Sequence, residues 1–252
     1  MKIVVVGATG LIGTKTVERL RKQGHEVVPA SRASGVNALT GEGLSAAMQG
    51  ADVVFDVSNS PSFEDKAVME FFEKSTNNLL AAEATAGVKH HVALSVVGAQ
   101  RLPDSGYMRA KAAQEELIKS GKVPYTIVQA TQFFEFIGGI AQAGTVGEAI
   151  HISTAYFQPM AADDVADEMV SACLSAPING TIEIGGPERV RMHEMIERHQ
   201  KSNNDNRQVV GKPDALYFGT RLSDESLVPG PKGKLTTTTF EKWCKQTALA
   251  TT

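Results

Sequence analysis

The chain has 252 residues, 42% of them hydrophobic and 21% charged, which excludes a collagen, a coiled coil or a wholly disordered protein. A net charge of −3 does not indicate the basic surface of a nucleic-acid-binding protein, so no nucleic-acid partner is expected. Two cysteines cannot form a disulfide scaffold, and the first apolar run is too short for a signal peptide or a spanning helix, so we expect a cytoplasmic protein without a membrane partner.

Short apolar runs alternate with helical patterns through the first half of the chain. The predicted strands are 2–6, 26–30, 51–57, 90–95 and 125–129, and the predicted helices are 11–23, 64–86 and 107–120. Nearly unbroken apolar runs are typical of strands that are buried on both faces of a parallel sheet. The alternation therefore predicts right-handed βαβ units in a doubly wound α/β fold.

The regularity falls after Gln132. We predict helices over 133–143, 163–174 and 239–247 and strands over 150–153 and 181–184, whereas 201–236 shows little periodicity. This pattern indicates a single domain over 1–252. A small lobe, mainly 133–160 and 185–252, is expected to lie on the sheet without an independent core of its own.

A glycine-rich turn follows the first strand and begins the first helix: Gly7-Ala8-Thr9-Gly10-Leu11-Ile12-Gly13. Gly7 would make the tight turn, Gly10 would let the backbone approach a pyrophosphate, and Gly13 would let helix and strand pack closely. The backbone of Thr9, Leu11 and Ile12 would then present a helix N-terminus to the phosphates. A purely structural glycine-rich turn is the alternative.

The second strand ends at Ser31-Arg32 rather than at the acidic residue that usually binds the ribose of NAD. A guanidinium binds phosphate oxygens as a fork, which favours the 2′-phosphate of NADP(H) over an exposed loop arginine without a role. Other cofactor contacts are predicted from their positions in the second βα connection and at the carboxyl end of the third strand: Asn37, Val57, Ser58 and Asn59.

Tyr107 and Lys111 are spaced i, i+4 and should share one helix face. An ammonium group beside a phenol would lower the pKa of the phenol towards working pH. Such a tyrosine could pass a proton to a carbonyl oxygen as hydride arrives, and the lysine could also hold the nicotinamide ribose. A structural tyrosine at a helix start is the alternative.

These motifs together resemble the short-chain dehydrogenase/reductase superfamily, and in particular its atypical, NmrA-like NAD(P)-binding branch. The resemblance covers about residues 1–190. It is carried by the glycine turn, by Leu94-Ser95-Val96-Val97-Gly98-Ala99, by Tyr107 and Lys111, by Pro124-Tyr125-Thr126-Ile127-Val128, by the run from Gln158 to Ala166, and by Ile184-Gly185-Gly186-Pro187.

The resemblance implies a Rossmann fold and a catalytic Ser/Tyr/Lys group. Tyr107 and Lys111 match it, and Ser95 is the candidate serine, although Val96 stands where many relatives have a second hydroxyl. Gln129 stands where arginine is expected. Gln132 would contact the nicotinamide amide, and Phe133 and Tyr156 are candidates for the substrate pocket, with core packing as the alternative for Phe133. The six histidines show no metal-ligand spacing, so no metal site is predicted.

We therefore expect an NADPH-dependent oxidoreductase that reduces a ketone, aldehyde or quinone-like carbonyl of a small apolar molecule, as a monomer or a homodimer. One alternative is a regulatory protein that binds NADP(H) and reports redox state without turnover, although such a sensor needs no proton donor. The other is a nucleotide-sugar epimerase or dehydratase with tightly held NAD, which the small lobe and Arg32 oppose.

Overall fold

The computed structural model describes residues 1–250. Its strands are β1 (Lys2–Val6), β2 (Glu26–Ala30), β3 (Val53–Asp56), β4 (His90–Val96), β5 (Tyr125–Ala130), β6 (Thr145–Val146), β7 (Ala149–Ser153), β8 (Tyr156–Phe157), β9 (Gly180–Gly185), β10 (Val190–Arg191), β11 (Gln208–Lys212) and β12 (Lys234–Leu235). Its helices are α1 (Leu11–Lys22), α2 (Leu44–Met48), α3 (Asp65–Ala86), α4 (Gly106–Ser120), α5 (Ile137–Ala143), α6 (Ala162–Leu174), α7 (Met192–Ser202) and α8 (Phe240–Ala250).

Within residues 1–250, seven parallel strands form the central sheet in the order β12-β9-β5-β4-β3-β1-β2. This is the predicted doubly wound Rossmann arrangement. The chain moves outwards from β1 to β2 and then returns to β3 on the other side of β1. Ligands of such sheets bind where the winding reverses, outside the carboxyl ends of the strands. Val6, the last residue of β1, pairs with both Ala30 and Asp56, so the three strands end side by side.

The alternating side chains of β1 feed two apolar layers. Ile3 and Val5 pack with α1 and α6 on one face of the sheet, and Val4 and Val6 pack with α2 and α3 on the other. Full burial of an aliphatic side chain contributes ~1.5–3 kcal/mol. Burial on both faces is therefore why this strand is an unbroken apolar run.

The lobe contains an apolar cluster of its own, which differs from the expectation that it would lack one. Phe134, Ile152, Phe157, Met195 and Leu227 are among its buried members. The cluster is separate from the two layers that flank β1 and reaches the start of α4 through Met108. It forms because α5, β7 and α7 each turn an apolar face inwards. None of the helices within the described residues is long and apolar enough to cross a membrane.

Most predicted elements form within a few residues of their expected bounds. The helix predicted over 133–143 is interrupted at its start, because Phe133 has extended backbone angles and pairs with Met160. A single 3-10 turn (Phe134–Phe136) then precedes α5. The segment 201–236 contains two short strands, β11 and β12, and α2 and α7 were not predicted.

Candidate cofactor and active site

The glycine turn has the geometry that its spacing predicts. Gly7 has a φ of +82°, and a Cβ there would stand 2.7 Å from the carbonyl oxygen of Val57. A Cβ on Gly13 would stand 2.1 Å from the carbonyl oxygen of Gly7, so this glycine lets α1 pack on the turn. A Cβ on Gly10 would meet only Gly7, at 3.3 Å. Gly7 and Gly13 are therefore required for packing of the turn. Gly10 instead leaves space at the N-terminus of α1, where a ligand could approach.

The N-terminus of α1 is open to an anion. Gly10 caps the helix without a side-chain hydrogen bond, and the first turn contains no acidic residue. Thr9, Gly10 and Leu11 are exposed, whereas the Ile12 side chain is buried in the core and can contribute only its backbone. Free N–H groups and the positive end of the helix dipole suit a diphosphate.

Ser31 and Arg32 lie directly beyond β2. Ser34 Oγ accepts a hydrogen bond from the backbone N–H of Ser31 at 2.9 Å, which fixes a short 3-10 turn over Arg32–Ser34. The Arg32 side chain is exposed, and its guanidinium pairs with no other described residue. The residue is therefore available to a phosphate. Asn37 shapes the following turn, because its Oδ1 accepts from the N–H of Leu39 at 3.0 Å.

The end of β3 lies next to the glycine turn, since the backbone of Val57 closely approaches Gly7. The N–H of Val57 donates to the carbonyl oxygen of Val6 at 3.0 Å, and the N–H of Ser58 donates to Asp56 Oδ1 at 2.9 Å. The buried Ser58 Oγ has no hydrogen-bond partner among the described residues. Asn59 is exposed, and its Oδ1 accepts from the N–H of Ser60.

Gln132 also carries unpartnered polar atoms. Its side chain is only 8% exposed, yet neither its amide oxygen nor its amide nitrogen finds a partner within residues 1–250. An unsatisfied buried polar group costs ~1–3 kcal/mol, so such groups point to a missing ligand. Together with the Ser58 hydroxyl and the open face of Gly10, the Gln132 amide fits a nicotinamide dinucleotide.

Tyr107 is the second residue of α4. Ser105 caps this helix by accepting a hydrogen bond from the N–H of Met108. The phenol ring lies 5.7 Å from the ring of Phe63 and 6.2 Å from that of Phe72, measured between centroids. Burial among these rings raises the pKa of Tyr107 to about 12. The phenol therefore stays protonated near neutral pH and can donate a proton.

Lys111 lies on the same face of α4, since it also contacts Phe72, at 4.4 Å from Nζ to the ring centroid. Its Nζ donates to the carbonyl oxygen of Leu94 at 2.9 Å and also to Gln114. Burial lowers the pKa of Lys111 to about 8, against the opposing charges of Asp56 and Glu115.

The structure thus brings the predicted pair together but contradicts the pKa prediction. We expected Lys111 to lower the pKa of Tyr107, and that was wrong. The ammonium group is hydrogen-bonded towards the sheet, and desolvation alone sets the direction of the tyrosine shift.

Ser95 is part of a buried network around Glu115. Its hydroxyl donates to Glu115 Oε1 at 2.5 Å, and the Gln129 amide donates to the same oxygen at 2.7 Å. Gln100 donates to the other carboxylate oxygen at 2.5 Å. The network gives Gln129 a structural partner. Because the Ser95 hydroxyl is already engaged by a carboxylate, a catalytic role for Ser95 stays a prediction without geometric support.

The two predicted pocket residues occupy different surroundings. The Phe133 ring stacks on that of Phe136 at 5.5 Å, next to Gln132 in the chain. The Tyr156 ring contacts two guanidinium groups, 4.3 Å from that of Arg189 and 3.8 Å from that of Arg191. Successive strand side chains point to opposite faces, and Phe157 packs in the lobe cluster against which Tyr107 also packs. Tyr156 therefore faces away from that cluster.

Several residues of this region were not predicted. Gln114 bridges Lys111 and Asp56, with its amide nitrogen 3.1 Å from Asp56 Oδ2. Phe63 and Tyr217 approach Tyr107 from two loops. Gln114 lies one turn from Lys111 on the predicted helix, so this contact could have been predicted from the spacing. The loop residues belong to no motif.

Comparisons with known proteins identify a family for this chain. The profile of a family described as NAD(P)H-binding matches residues 7–176. The chain is 28% identical over 153 residues to the photosystem II assembly factor Ycf39 of Synechocystis sp., covering 55% of this chain and 47% of that protein. It thus spans about half the length of that relative.

A second relative is matched over more of its length. The chain is 28% identical over 228 residues to the (4-alkanoyl-5-oxo-2,5-dihydrofuran-3-yl)methyl phosphate reductase of Streptomyces griseus, covering 84% of this chain and 74% of the relative. It is 26% identical over 226 residues to the divinyl chlorophyllide a 8-vinyl-reductase of Arabidopsis thaliana, with coverage of 74% and 54%.

Solved structures share the fold at low identity. A dTDP-4-dehydrorhamnose reductase from Clostridium acetobutylicum superposes with a TM-score of 0.77 at 16% identity, covering all of both chains. MoeE5 in complex with UDP-glucose and NAD superposes with a TM-score of 0.76 at 18% identity, again covering all of both chains.

Proposed function

The chain belongs to a family described as NAD(P)H-binding, and on this premise we propose that it is an NADPH-dependent carbonyl reductase of the atypical, NmrA-like branch of the short-chain dehydrogenases/reductases. The observation that carries the proposal is that Tyr107 and the buried Lys111 lie on one face of α4, where both contact the ring of Phe72. Its substrate is a small apolar ketone, aldehyde or quinone-like molecule.

The choice of NADPH over NADH rests on Arg32. The side chain stands beyond the carboxyl end of β2 with no partner among the described residues, and a guanidinium is a bidentate ligand for phosphate. The glycine turn would hold the diphosphate, and Ser58 and Gln132 would bind polar groups nearer the nicotinamide. When bound there, NADPH would supply the hydride.

The chain's own residues would supply the proton and the orientation. Tyr107 would donate its phenolic proton to the carbonyl oxygen as negative charge develops there. With a ketone or an aldehyde as substrate, a phenol with a pKa of about 12 is a far stronger acid than the alcohol that is formed, so this transfer is favourable. Lys111, in its charged form, would hold the ribose of the cofactor.

Reduction of a carbon–carbon double bond conjugated to a carbonyl is a second candidate. It is favoured by the names of the two reductases to which the chain is similar, one of which denotes reduction of a vinyl group. Hydride addition to the β-carbon of such a substrate gives an enolate, and Tyr107 could protonate its oxygen. Product analysis with an α,β-unsaturated ketone distinguishes an allylic alcohol from a saturated ketone.

The test of the proposed chemistry is Tyr107→Phe, which removes only the hydroxyl. Loss of a general acid typically costs 10²–10⁴-fold in rate, so we expect about a hundredfold or greater fall in NADPH oxidation with a panel of ketones and quinones. The Kd for NADPH, measured by fluorescence titration, should stay within about twofold of wild type.

Two outcomes would contradict the proposal. Unchanged turnover in the variant would remove Tyr107 from the reaction. A wild-type protein that binds NADP(H) tightly but oxidises none with any probe would favour the redox-sensing alternative. Cofactor that stays bound through purification would instead favour the epimerase or dehydratase alternative.

A further inference from the structure

A second tyrosine, Tyr217, lies beside Tyr107 although the two are far apart in the sequence. Both side chains pack against the apolar cluster of the lobe. Burial raises the pKa of Tyr217, and the nearby phenol of Tyr107 adds to the rise. The Gln132 amide lies close enough to offset part of it. Three polar side chains from α4, from the loop after β5 and from the lobe therefore meet at one place.

Gln132 indicates that this place binds a ligand. The amide is buried and approaches the Tyr217 hydroxyl, but it forms no hydrogen bond within the described residues. Buried amide groups without partners are uncommon in folded proteins. The nicotinamide carboxamide, which we expect Gln132 to bind, would satisfy this amide and would bring the reactive ring next to the two phenols.

A strained turn holds Tyr217 in position. Tyr217 and Thr220 exchange two backbone hydrogen bonds of 2.8 and 3.1 Å around Phe218 and Gly219. Phe218 and Gly219 both have positive φ, 44° and 83°, which is the pattern of a type I′ turn that normally contains Asn-Gly. A bulky residue at positive φ is strained, and such strain tends to occur at binding sites.

The turn also exposes an aromatic ring beside the phenols. Phe218 is 59% exposed and its ring lies 4.8 Å from that of Tyr217, while Phe63 is 67% exposed beside Tyr107. Each phenol thus has one large apolar neighbour in contact with water. Exposed apolar groups that cluster around polar groups are typical of a binding site.

The serine that the family resemblance offers for the substrate carbonyl is hydrogen-bonded to Glu115 instead. Building on the proposed carbonyl reduction, we propose that Tyr217 is the second hydrogen-bond donor to the substrate oxygen, and that Phe63 and Phe218 favour a flat aromatic carbonyl compound. The oxygen would accept hydrogen bonds from both phenols, and Tyr107 alone would give up its proton.

The test is Tyr217→Phe, assayed with NADPH and 9,10-phenanthrenequinone as a flat probe and cyclohexanone as a non-aromatic one. Removal of one donor to a developing oxyanion costs about a hundredfold in kcat. We expect a loss of that order with the quinone and an unchanged Kd for NADPH. Tyr125→Phe is the matched control, because Tyr125 packs at the amino end of β5, and it should behave as wild type.

A second pair of variants tests the substrate class. Phe63→Ala and Phe218→Ala should each lower kcat/KM for the quinone by about tenfold or more, as loss of ~1.5 kcal/mol of aromatic contact predicts. The value for cyclohexanone should change less. Equal effects on both probes would overturn the assignment of a flat substrate.

The outcomes separate this inference from the proposed function. If wild type reduces the quinone and Tyr217→Phe does so equally well, only the role of Tyr217 is overturned. If Tyr217→Phe no longer binds NADPH, Tyr217 is structural and the inference fails. If wild type reduces neither these probes nor the wider carbonyl panel, the proposed function fails and this inference fails with it.

Discussion

The proposed preference for NADPH over NADH depends on one residue, Arg32. Replacing it with alanine should raise the Kd for NADPH by about tenfold to a hundredfold, since a hydrogen bond to a charged group contributes ~1.5–3 kcal/mol. Binding of NADH, which lacks the 2′-phosphate, should change little. Fluorescence titration with both coenzymes measures this. Arg198→Ala, which removes an arginine paired with Glu188 in the lobe, is the control.

A result that does not distinguish NADPH from NADH would contradict the role of Arg32 in binding the 2′-phosphate. If Arg32→Ala weakened NADH and NADPH equally, or if neither changed, the side chain would be a solvated loop residue as the alternative proposes.

The pKa of Lys111 leads to a prediction of how kcat/KM depends on pH. Burial, opposed by Asp56 and Glu115, lowers the pKa of its ammonium group to about 8. The positive charge is therefore present below this pH and is lost as the pH rises through it. Because kcat/KM reports groups of the free protein, its value for NADPH should decline above about pH 8. Tyr107, with a pKa of about 12, stays protonated throughout.

The variant Asp56→Asn tests whether the charge of Lys111 causes this decline. The negative charge of Asp56 raises the pKa of Lys111, so its removal should move the decline to lower pH. The amide keeps the size of the side chain that contacts Gln114 and Ser58. Initial rates from about pH 6 to about pH 10 measure the shift. A decline that stays at the same pH in the variant would show that Lys111 does not cause it.

Sequence spacing predicts which side chains share a helix face, but it does not predict their pKa values. The i, i+4 spacing placed Tyr107 and Lys111 on one face, because helix geometry is local. The pKa direction of Tyr107 was wrong because it depends on Phe63 and Phe72, which lie elsewhere in the sequence. Tyr217 was missed for the same reason, since no motif surrounds it.

The turn between β1 and α1 is the element that we propose to bind the cofactor, and two of its glycines allow a matched test. Gly10→Ala places a Cβ that meets only Gly7 at 3.3 Å, so the free energy of unfolding should change by less than about 1 kcal/mol. The same methyl group would occupy the ligand side of the turn, and NADPH binding should weaken by about tenfold or more.

Gly13→Ala should show the reverse order of effects. Its Cβ would lie 2.1 Å from the carbonyl oxygen of Gly7, so α1 must move away from the turn. Overpacking of this kind costs ~1–3 kcal/mol. Urea unfolding without nucleotide measures the loss directly. Equal stability of the two variants would contradict the assignment of Gly13 to packing and Gly10 to binding.

Elements were predictable where their pattern is long. β1 and β2 were predicted to the residue, because each is an apolar run that ends at a glycine or a hydroxyl residue. β8, β10 and β12 have two residues each and carry no periodicity. The buried residues Met192, Met195 and Ile196 do follow helical spacing, so α7 could have been predicted from the sequence.

At the scale of the whole molecule, the sheet explains why distant segments meet. The ends of β1, β2 and β3 place the glycine turn, Arg32 and Ser58 along one edge. β4 and β5 end side by side, with Val96 opposite Ala130, and lead to α4 and Gln132. The lobe then contributes Tyr217, which packs against the same apolar cluster as Tyr107. The sequence could predict the sheet part of the site from strand ends, but not the lobe part, since the lobe folds around a cluster of non-local contacts.

The central claim is that the glycine turn and the Tyr107 phenol belong to one nicotinamide site. A crystal structure of the protein with NADP⁺ tests it most directly. We predict the diphosphate against the N-terminus of α1, the 2′-phosphate beside Arg32, and the nicotinamide ring facing the Tyr107 hydroxyl, with its carboxamide bonded to Gln132. A dinucleotide bound away from the glycine turn, or a Tyr107 hydroxyl directed away from the nicotinamide ring, would contradict the account.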